Sequence, residues 1–315
     1  MASNLKIIVA GLSTWYLYHY RLRLLRSLVS KGFQVLTLAS ADSYQKRIES
    51  HGVKHIKVDI VRTGINPLQE INLLHQFLKV YKKHKPDIVQ HFTIKVIIYG
   101  SIAAKIVGVK HIYNAITGLG YSYSSNSIKR IILRTIINSL CRCSLKFSSH
   151  VYFQNEDDRN YFIRRRIVTR TNTCIIPGSG VDTSYYKPIA KRETDKITFI
   201  LVSRMIKDKG IIEYVEAAHK LRKRYNNVEF LLLGPLDSKH PTSITQKQLR
   251  YWTKMGDVKY LGETNDVRYY LKSADVIVLP SYYREGLPLS LLEGAAMGMP
   301  IITADSTGCR EVVED

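Results

Sequence analysis

The stretch DVIVLPSYYREGLPLSLLEGAAMGMPIITAD, residues 275–305, begins and ends in short apolar runs typical of buried β-strands. Between these runs, Pro288 suits the first turn of a helix, where its missing N–H is no loss. Apolar residues then recur at helical spacing, at Leu289, Leu292 and Ala296. A strand, a helix and a second strand in this order predict a parallel β-α-β unit, and therefore an α/β protein.

The same alternation of apolar runs and helical patterns extends along the whole chain in two series. The first series has predicted strands at 5–11, 33–39, 55–60, 87–92, 111–117 and 150–155. The second has them at 197–203, 228–234, 258–262, 275–281 and 300–305. The segment between the series is rich in Gly, Pro, Ser and charge, which is typical of an inter-domain connection. We predict two similar doubly wound parallel-sheet domains facing across a cleft, at 1–176 and 197–315, with a linker at 177–196.

Length and composition agree with two folded domains. The chain has 315 residues, of which 45% are hydrophobic. No run of about 18 uncharged apolar residues is present, so we expect no transmembrane helix. The chain starts directly in a predicted strand, so we expect no signal peptide. The four cysteines lack the spacing of metal ligands, which favours free thiols in a reducing cytosol.

Positive charge is concentrated in the first half of the chain. The formal net charge is +21, and residues 1–180 hold 27 Lys and Arg against 8 Asp and Glu. Residues 181–315 are nearly balanced, with 20 against 18. Such asymmetry indicates a polyanionic partner for the first domain, either nucleic acid or anionic lipid. No helix-turn-helix, zinc finger or RNA-binding motif is present, so we predict no nucleic-acid partner.

The stretch IKRIILRTIINSLCRCSLKF, residues 128–147, combines apolar residues at helical period with five Lys and Arg and no acidic residue. Such a helix could lie on an anionic bilayer with its apolar face in the interface. It could equally pack that face on the protein core and expose a basic edge. The sequence leaves both interpretations open.

The stretch ILVSRMIKDKGIIEYVEAA, residues 200–218, contains a candidate anion site. A predicted strand ends at Ser203, Arg204 and Lys209 follow in the loop, and Gly210 opens a helix. Ligands of open α/β sheets bind outside the carboxyl ends of the strands. Two cations in such a loop could clamp a diphosphate, although loop cations are often simply solvated.

Glu285 and Glu293 lie before and inside the helix predicted after Pro288. Eight positions at helical rise span roughly 12 Å, too far for the paired carboxylates of a retaining glycosidase. The separation suits two ends of one elongated ligand, with the first helix amides between them as a seat for phosphate. The alternative is a surface helix with ordinary acidic residues.

Together these motifs resemble the family 4 retaining glycosyltransferases of the GT-B fold. R-x4-K-G after a strand is followed by E-G-L-P-L-S-L-L-E-G-A-A-M-G-M-P-I, residues 285–301. GVDTSYYKP (180–188) and YLGETNDVRYYLKSADVIVLPS (260–281) are similar to other segments of the family. HFTIKVIIYGSIAAKIVGVKHIYNAITGLGY (91–121) looks most like bacterial members that build O-antigens, capsules and lipid-linked glycans, many using UDP-N-acetylhexosamines.

The resemblance implies a site for the donor diphosphate. Arg204 and Lys209 would hold the diphosphate of a nucleotide-sugar and neutralise the leaving group. Backbone amides around Gly286, Leu287 and Leu289 would meet its β-phosphate.

The resemblance also implies roles for five further residues. Glu293 would accept hydrogen bonds from the ribose hydroxyls, and Glu285 would meet the hydroxyls of the donor sugar. Backbone near Leu261 would contact the base. Gly11 would let the first loop approach the diphosphate closely, and His91 would face the donor sugar and acceptor across the cleft. Arg204, Lys209, Glu285 and His91 are the predicted catalytic residues.

From the resemblance we expect transfer of an N-acetylhexosamine or hexose from a UDP-sugar to a lipid-linked, polyprenyl-diphosphate glycan, with retention of configuration. We expect no cofactor and no metal, because fixed cations and a helix N-terminus would stabilise the leaving diphosphate. The acidic cluster at 156–158 follows Asn155 at a predicted helix start, where capping explains it. We expect a cytoplasmic protein, peripheral on the inner face of the membrane.

Three alternatives remain open at the level of the sequence. A nucleotide-sugar epimerase or a phosphorylase of the GT-B fold would use a similar donor site, although no lysine suggests itself for pyridoxal phosphate. Family members usually extend beyond the point where this chain stops, so the second domain is expected to be truncated. A truncated, non-catalytic protein that binds nucleotide and membrane is the third alternative.

Overall fold

The computed structural model describes residues 5–62, 66–188 and 195–314. The chain forms two compact units: unit 1 comprises the residues up to Ser122 with Ser127–Ser179, and unit 2 comprises Tyr123–Asn126 with the residues from Gly180 onward. The division falls within the predicted linker 177–196, of which residues 189–194 lie outside the described part. Residues Tyr123–Asn126 group with unit 2, although the sequence places them in the first domain.

Unit 1 is a seven-stranded parallel sheet with the strand order β3-β2-β1-β4-β5-β6-β7. Its strands are β1 (Lys6–Ser13), β2 (Gln34–Ser40), β3 (Lys54–Lys57), β4 (Ile88–Phe92), β5 (His111–Ile116), β6 (His150–Phe153) and β7 (Thr173–Ile175). Its helices are α1 (Thr14–Ser30), α2 (Gln45–Glu49), α3 (Pro67–His84), α4 (Ile94–Val107), α5 (Ile128–Leu145) and α6 (Glu156–Arg164).

Unit 2 repeats this plan with five parallel strands in the order β10-β9-β8-β11-β12. Its strands are β8 (Ile197–Val202), β9 (Val228–Leu233), β10 (Lys259–Tyr260), β11 (Val276–Leu279) and β12 (Ile301–Thr303). Its helices are α7 (Ile211–Arg222), α8 (Gln246–Lys254), α9 (Arg268–Ser273) and α10 (Leu289–Ala296). The predicted fold class, two α/β parallel-sheet domains, is confirmed.

The strands are apolar on both faces because helices cover both sides of each sheet. Alternate residues of β1 illustrate this: Ile8 packs in one core cluster with Phe77 of α3, and Val9 packs in the other with Leu17 of α1. All four side chains are completely buried. A continuous apolar run followed by an amphipathic helix therefore folds as strand and crossover rather than as a half-exposed hairpin.

In each unit the strand order reverses beside the first strand. In unit 1 the chain runs outward from β1 to β2 and β3, and then returns to add β4 on the other side of β1. In unit 2, β8 and β11 are related in the same way. The loops leaving such a pair of strands diverge to opposite faces of the sheet, which opens a crevice at their carboxyl ends.

Some local predictions differ from the structure. Strand β7 was not predicted, because three residues are too short to give an alternating pattern. The last described element is a short 3-10 helix at Arg310–Val312. Asn155 caps α6 by accepting the Asp158 amide at 2.8 Å, as the acidic cluster suggested.

Helix α5, formed by the basic stretch, is buried in one part and exposed in another. Asn138, Cys141 and Leu145 are buried in unit 1. Four isoleucines nearer its amino end are instead exposed, by 77, 45, 57 and 44%: Ile128, Ile131, Ile132 and Ile136. Across the described residues, none of the helices has the length and apolar character needed to cross a bilayer.

Gly210, which precedes α7, is tightly constrained, and its replacement should destabilise unit 2. Its φ is +77°, and a Cβ built there would lie 2.2 Å from the Pro280 carbonyl oxygen. We expect Gly210→Ala to lower the free energy of unfolding by roughly 2–4 kcal/mol, from backbone strain and overpacking together. Urea unfolding followed by Trp252 fluorescence, in a Trp15→Phe background, measures this change.

Gly262 supplies the matched control for this substitution. Its φ is +76°, but no atom lies within 4 Å of the position that a Cβ would occupy there, so Gly262→Ala should cost only roughly 1–2 kcal/mol. Equal losses for the two variants would contradict the close approach of Gly210 to Pro280.

Candidate active site

Arg204 lies just beyond the carboxyl end of β8 and forms an ion pair with Asp237. Its Nη1 donates to Asp237 Oδ2 at 2.7 Å, and its guanidinium lies 5.8 Å from the centre of the Tyr283 ring. Burial opposes the charge, yet Tyr283 and Asp237 hold the pKa of Arg204 above its ordinary value. Arg204 is therefore a fixed cation whose side chain is 29% exposed at the crevice of the sheet.

Lys209 and Glu285 form a second ion pair across the same crevice. Lys209 Nζ donates to Glu285 Oε1, which also accepts the Ser281 hydroxyl at 3.2 Å. Both charged side chains are 13% exposed, and Lys209 Nζ lies 5.4 Å from the centre of the Tyr283 ring. This ion pair therefore connects the loop after β8 with the loop after β11, and Tyr283 lies beside it.

The turn after β12 supports the loop that carries Glu285. Ser306 donates its hydroxyl to the Ser281 carbonyl at 2.6 Å. Gly308 has φ +81°, and a Cβ there would lie 2.4 Å from the Gly286 carbonyl oxygen and 2.9 Å from that of Glu285. Only a glycine allows this approach, so the turn fixes the backbone of the predicted sugar-binding segment.

Glu293, in the middle of α10, is held by Tyr186. The Tyr186 hydroxyl donates to Glu293 Oε1 at 2.7 Å, and the residue is 8% exposed. Burial raises the pKa of Glu293 to about 7; the hydrogen bond from Tyr186 opposes this rise, and Asp266 adds to it. Within the described residues Glu293 has no second side-chain partner, so its other oxygen is available to a ligand hydroxyl.

The amino end of α10 lies between Glu285 and Glu293 in the chain. Pro288 is its N-cap rather than its first helical residue, and no side chain caps the helix. The first amides of an α-helix have no acceptor inside the helix, and the helix dipole favours an anion there. Gly286, Leu287 and Leu289, the predicted phosphate-binding amides, lead into this uncapped end.

Leu261 follows β10 at the same edge of the sheet. Its amide donates to the Leu232 carbonyl at 2.9 Å, and the next residue accepts from the Gly234 amide at 2.7 Å. The predicted base-contacting backbone is thus anchored to β9. Arg204, Lys209, Glu285, Glu293 and Leu261 all belong to unit 2 and lie beyond or beside the carboxyl ends of its strands.

Gly11 and His91 belong to unit 1. Gly11 lies within β1, and a Cβ there would meet the Leu17 and Tyr16 side chains at 2.8 and 2.9 Å. Gly11 is therefore needed for the first turn of α1 to pack over the strand. Close approach to a diphosphate, the reason given by the resemblance, stays a prediction.

His91 is fully buried inside unit 1 rather than presented at a surface. Its Nε2 lies 2.8 Å from the Tyr81 hydroxyl and its Nδ1 lies 2.9 Å from Asn114 Oδ1. Because the Asn114 oxygen can only accept, Nδ1 carries the proton and Nε2 accepts from Tyr81. Burial lowers the pKa of His91 to about 4, so the imidazole is neutral at physiological pH. The side chain is enclosed by its neighbours, and the predicted contact of His91 with the donor sugar and the acceptor stays a prediction.

Sequence reasoning missed three side chains of this site. Asp237 pairs with Arg204, Tyr283 contacts both cations, and Tyr186 holds Glu293. Tyr186 lies in the quoted stretch 180–188, but nothing in that stretch identifies Glu293 as its partner. Tyr283 lies in the quoted stretch 275–305 and could have been suspected from its place between strand and Glu285. Nothing in the local sequence distinguishes Asp237 from a surface acid.

The arrangement suits an extended anionic ligand that also carries hydroxyl groups. Two cations and an uncapped helix end can neutralise a diphosphate. Two carboxyl groups can accept hydrogen bonds from hydroxyl groups at the two ends of the ligand. Within 5–62, 66–188 and 195–314, no group of three His, Cys, Asp or Glu side chains is arranged to hold a metal ion.

Comparison with known proteins identifies glycosyltransferase relatives of this chain. A family model described as glycosyl transferases group 1 matches residues 183–315, and one described as glycosyl transferase 4-like matches residues 8–155. The crystal structure of Anabaena HepE in complex with UDP and glucose superposes with a TM-score of 0.73 at 18% identity, covering 99% of this chain and 83% of that one. This likeness concerns the fold.

Two curated relatives have named activities. One, from Campylobacter jejuni, is N,N'-diacetylbacillosaminyl-diphospho-undecaprenol alpha-1,3-N-acetylgalactosaminyltransferase; it is 28% identical over 95% of this chain and 80% of its own length. Another, from Escherichia coli, is UDP-Gal:alpha-D-GlcNAc-diphosphoundecaprenol alpha-1,3-galactosyltransferase, 26% identical over 80% of this chain and 66% of its own length.

Removing the ionisable group of Glu293 should change how stability depends on pH. With a folded pKa of about 7, the native carboxyl stays protonated while the unfolded one ionises, so wild type loses stability as pH rises from about 4.5 to 7. We expect Glu293→Gln to gain up to roughly 3 kcal/mol relative to wild type between pH 4.5 and pH 8. Urea unfolding at several pH values, followed by Trp252 fluorescence in a Trp15→Phe background, measures the difference.

Glu216→Gln, at an exposed position of α7, is the control for exchanging a carboxyl group for an amide, and its stability is measured at the same pH values. A difference from wild type that changes no more with pH for Glu293→Gln than for Glu216→Gln would show that Glu293 titrates like a solvated carboxyl group.

Proposed function

The chain belongs to the family 4 glycosyltransferases and has their GT-B fold, and from that premise we propose its donor, acceptor and mechanism. The proposed donor is a UDP-sugar carrying an N-acetylhexosamine or hexose. The proposed acceptor is a glycan on a polyprenyl diphosphate. Transfer proceeds with retention, without a metal, at the inner face of the cytoplasmic membrane, in the synthesis of a bacterial surface polysaccharide or glycoconjugate.

One observation carries the proposal: the charged cluster at the crevice between β8 and β11. Arg204 and Lys209 come from the β8 side, Glu285 comes from the β11 side, and all three are partly buried around Tyr283. The uncapped end of α10 follows at once in the chain. A diphosphate bound here would meet both cations and the helix amides.

The donor would extend in both directions from its diphosphate. At one end, Glu293 would accept the ribose hydroxyls through the oxygen that Tyr186 leaves unbound. At the other end, Glu285 would accept hydrogen bonds from the hydroxyl groups of the sugar, while Lys209 turns toward the phosphate. UDP as the nucleotide is supported by the UDP complex of HepE and by the UDP-Gal named for the E. coli relative.

The charges of the site also suit the chemical step. The bond from the anomeric carbon to the diphosphate oxygen breaks, the acceptor oxygen bonds to that carbon on the same face, and the acceptor proton passes to the departing diphosphate. Negative charge therefore develops on the diphosphate, where Arg204, Lys209 and the helix end are already oriented. Retention rests on family membership, and neutral, buried His91 is not needed as a base.

A lipid-linked acceptor is supported by the relatives and by the charge of the chain. The names of both relatives specify sugars on a diphospho-undecaprenol acceptor. Residues 1–180 carry a large excess of Lys and Arg, which suits both an anionic acceptor and anionic lipid.

Helix α5 offers a surface for membrane contact. Ile128, Ile131, Ile132 and Ile136 are exposed on a helix whose charged residues are all basic. Water is a poor solvent for four neighbouring isoleucines, whereas an anionic bilayer interface accepts both their side chains and the basic ones beside them.

Donor binding and transfer should both depend on Arg204 and Glu293. We expect wild type to bind UDP more tightly than GDP in calorimetry, and Arg204→Ala and Glu293→Ala to weaken UDP binding about tenfold to hundredfold, as for loss of charged hydrogen bonds. With a UDP-sugar and a synthetic polyprenyl-diphospho-N-acetylhexosamine, transfer should give the retained anomer by NMR and persist in EDTA.

Lys259→Ala and Glu229→Ala are matched controls, because this ion pair lies near the amino ends of β9 and β10, at the opposite edge of the sheet. They should leave UDP affinity within twofold of wild type. Isomerisation of the UDP-sugar without acceptor, an inverted product, or activity abolished by EDTA would each overturn the corresponding part of the proposal.

Membrane contact should depend on α5 and on lipid charge. We expect Ile132→Ser to weaken binding to vesicles containing anionic phospholipid about fivefold, since burying half an isoleucine contributes roughly 1 kcal/mol. Ile302→Ser, similarly exposed at 51% against 57% but in unit 2, should have no effect. Co-sedimentation at two salt concentrations measures this; binding that is indifferent to salt or to Ile132→Ser would contradict the proposal.

A further inference from the structure

Arg21 is a buried cation that the donor site does not use. It lies in α1 of unit 1 and is only 8% exposed. Its Nη2 donates to the Tyr16 hydroxyl at 3.0 Å, and its guanidinium stacks 4.0 Å from the centre of the Phe92 ring. Its Nε is enclosed and has no hydrogen-bond partner in the described part of the chain.

No carboxylate among the described residues neutralises this guanidinium. Asp42, the acidic side chain at the amino end of α1, accepts instead from the Thr14 hydroxyl and from the Trp15 amide, at 2.5 and 2.8 Å. Arginine keeps its charge in proteins, and an unpaired buried ion is strongly destabilising. Stacking on Phe92 offsets only part of this cost. An anionic ligand would supply the missing counter-charge.

The position of Arg21 in the fold also indicates a ligand site. Phe92 is the last residue of β4, and Arg21 is on the helix that follows β1. β1 and β4 are the pair at which the strand order of unit 1 reverses, as β8 and β11 are in unit 2. Arg21 therefore lies at the crevice of unit 1. This crevice corresponds to the one in unit 2 where Arg204 and Lys209 lie.

Thr93, directly after Phe92, gives a second observation at the same strand end. Its φ is +72°, unusual for a residue other than glycine, and its hydroxyl oxygen is enclosed without a hydrogen-bond partner among the described residues. Two unsatisfied polar groups, one on Arg21 and one on Thr93, thus flank Phe92.

We propose that Arg21 binds a phosphate group of the acceptor's diphosphate, so that unit 1 recognises the diphosphate link and not only the sugar. The inference rests on the proposed function for the identity of the ligand. The guanidinium presents a planar set of N–H donors that matches phosphate oxygens, with Phe92 holding its plane. Arg21 is then a binding residue that selects diphosphate-linked glycans over neutral glycosides.

The test compares two acceptors in detergent: a polyprenyl-diphospho-N-acetylhexosamine and the octyl glycoside of the same sugar. We expect Arg21→Met, which keeps an apolar stem for packing, to raise KM for the diphosphate acceptor at least tenfold. Its kcat/KM for the octyl glycoside and its UDP affinity should stay within twofold of wild type. Arg21→Lys should recover part of the loss, because it restores the charge without the planar donors.

Arg130→Met is the matched control, because Arg130 is also 8% exposed and stacks 4.0 Å from the Tyr121 ring, but lies in α5. It should leave KM for the diphosphate acceptor within twofold. Equal losses on both acceptors would assign Arg21 a structural role, and a parallel loss of UDP affinity would assign it to the donor. Either result, or an unchanged KM, overturns the proposal.

A binding experiment distinguishes failure of the Arg21 site from failure of the proposed function. Farnesyl diphosphate and farnesol are titrated into protein saturated with UDP. Binding of the diphosphate alone, lost in Arg21→Met and kept in Arg130→Met, supports the site even if wild type transfers no sugar. Equal binding of diphosphate by wild type and Arg21→Met overturns it.

Discussion

Reversal of strand order beside the first strand of each parallel sheet is the constraint from which the sites of this protein follow. Loops that leave β8 and β11 cross to opposite faces of the sheet, so a crevice opens at their carboxyl ends. Tight backbone approaches hold those loops in place: Gly210 lies against Pro280, and Gly308 against Gly286. The loops that carry the charged side chains are thereby held against neighbouring backbone.

Within this crevice, the charged side chains of unit 2 largely balance one another. Arg204 pairs with Asp237 and Lys209 pairs with Glu285, so neither cation is left as a buried, uncompensated charge. The proposed donor diphosphate would share or replace these partners, and the cations would need little reorientation. Burial raises the pKa of Glu293 to about 7, and the Tyr186 hydroxyl holds one of its two carboxyl oxygens in place.

The crevice of unit 1 has a different set of buried polar residues. Its buried histidine, His91, is neutral and hydrogen-bonded to Tyr81 and Asn114. Its buried arginine, Arg21, has an aromatic neighbour but no carboxylate. The contrast between paired cations in unit 2 and an unpaired one in unit 1 follows from which loops supply acids: the β11 loop carries Glu285, whereas Asp42 caps α1.

The sequence by itself determined the two parallel α/β domains, because apolar runs and amphipathic helices recur in strict alternation. It also placed Arg204, Lys209, Glu285 and Glu293 at strand ends and a helix start, since those positions are local properties of the chain. Only the tertiary structure decided that Asp237 pairs with Arg204, that Tyr186 holds Glu293, and that His91 is enclosed. Such pairings join residues far apart in sequence, and burial depends on what the rest of the chain packs around a side chain, which no local pattern records.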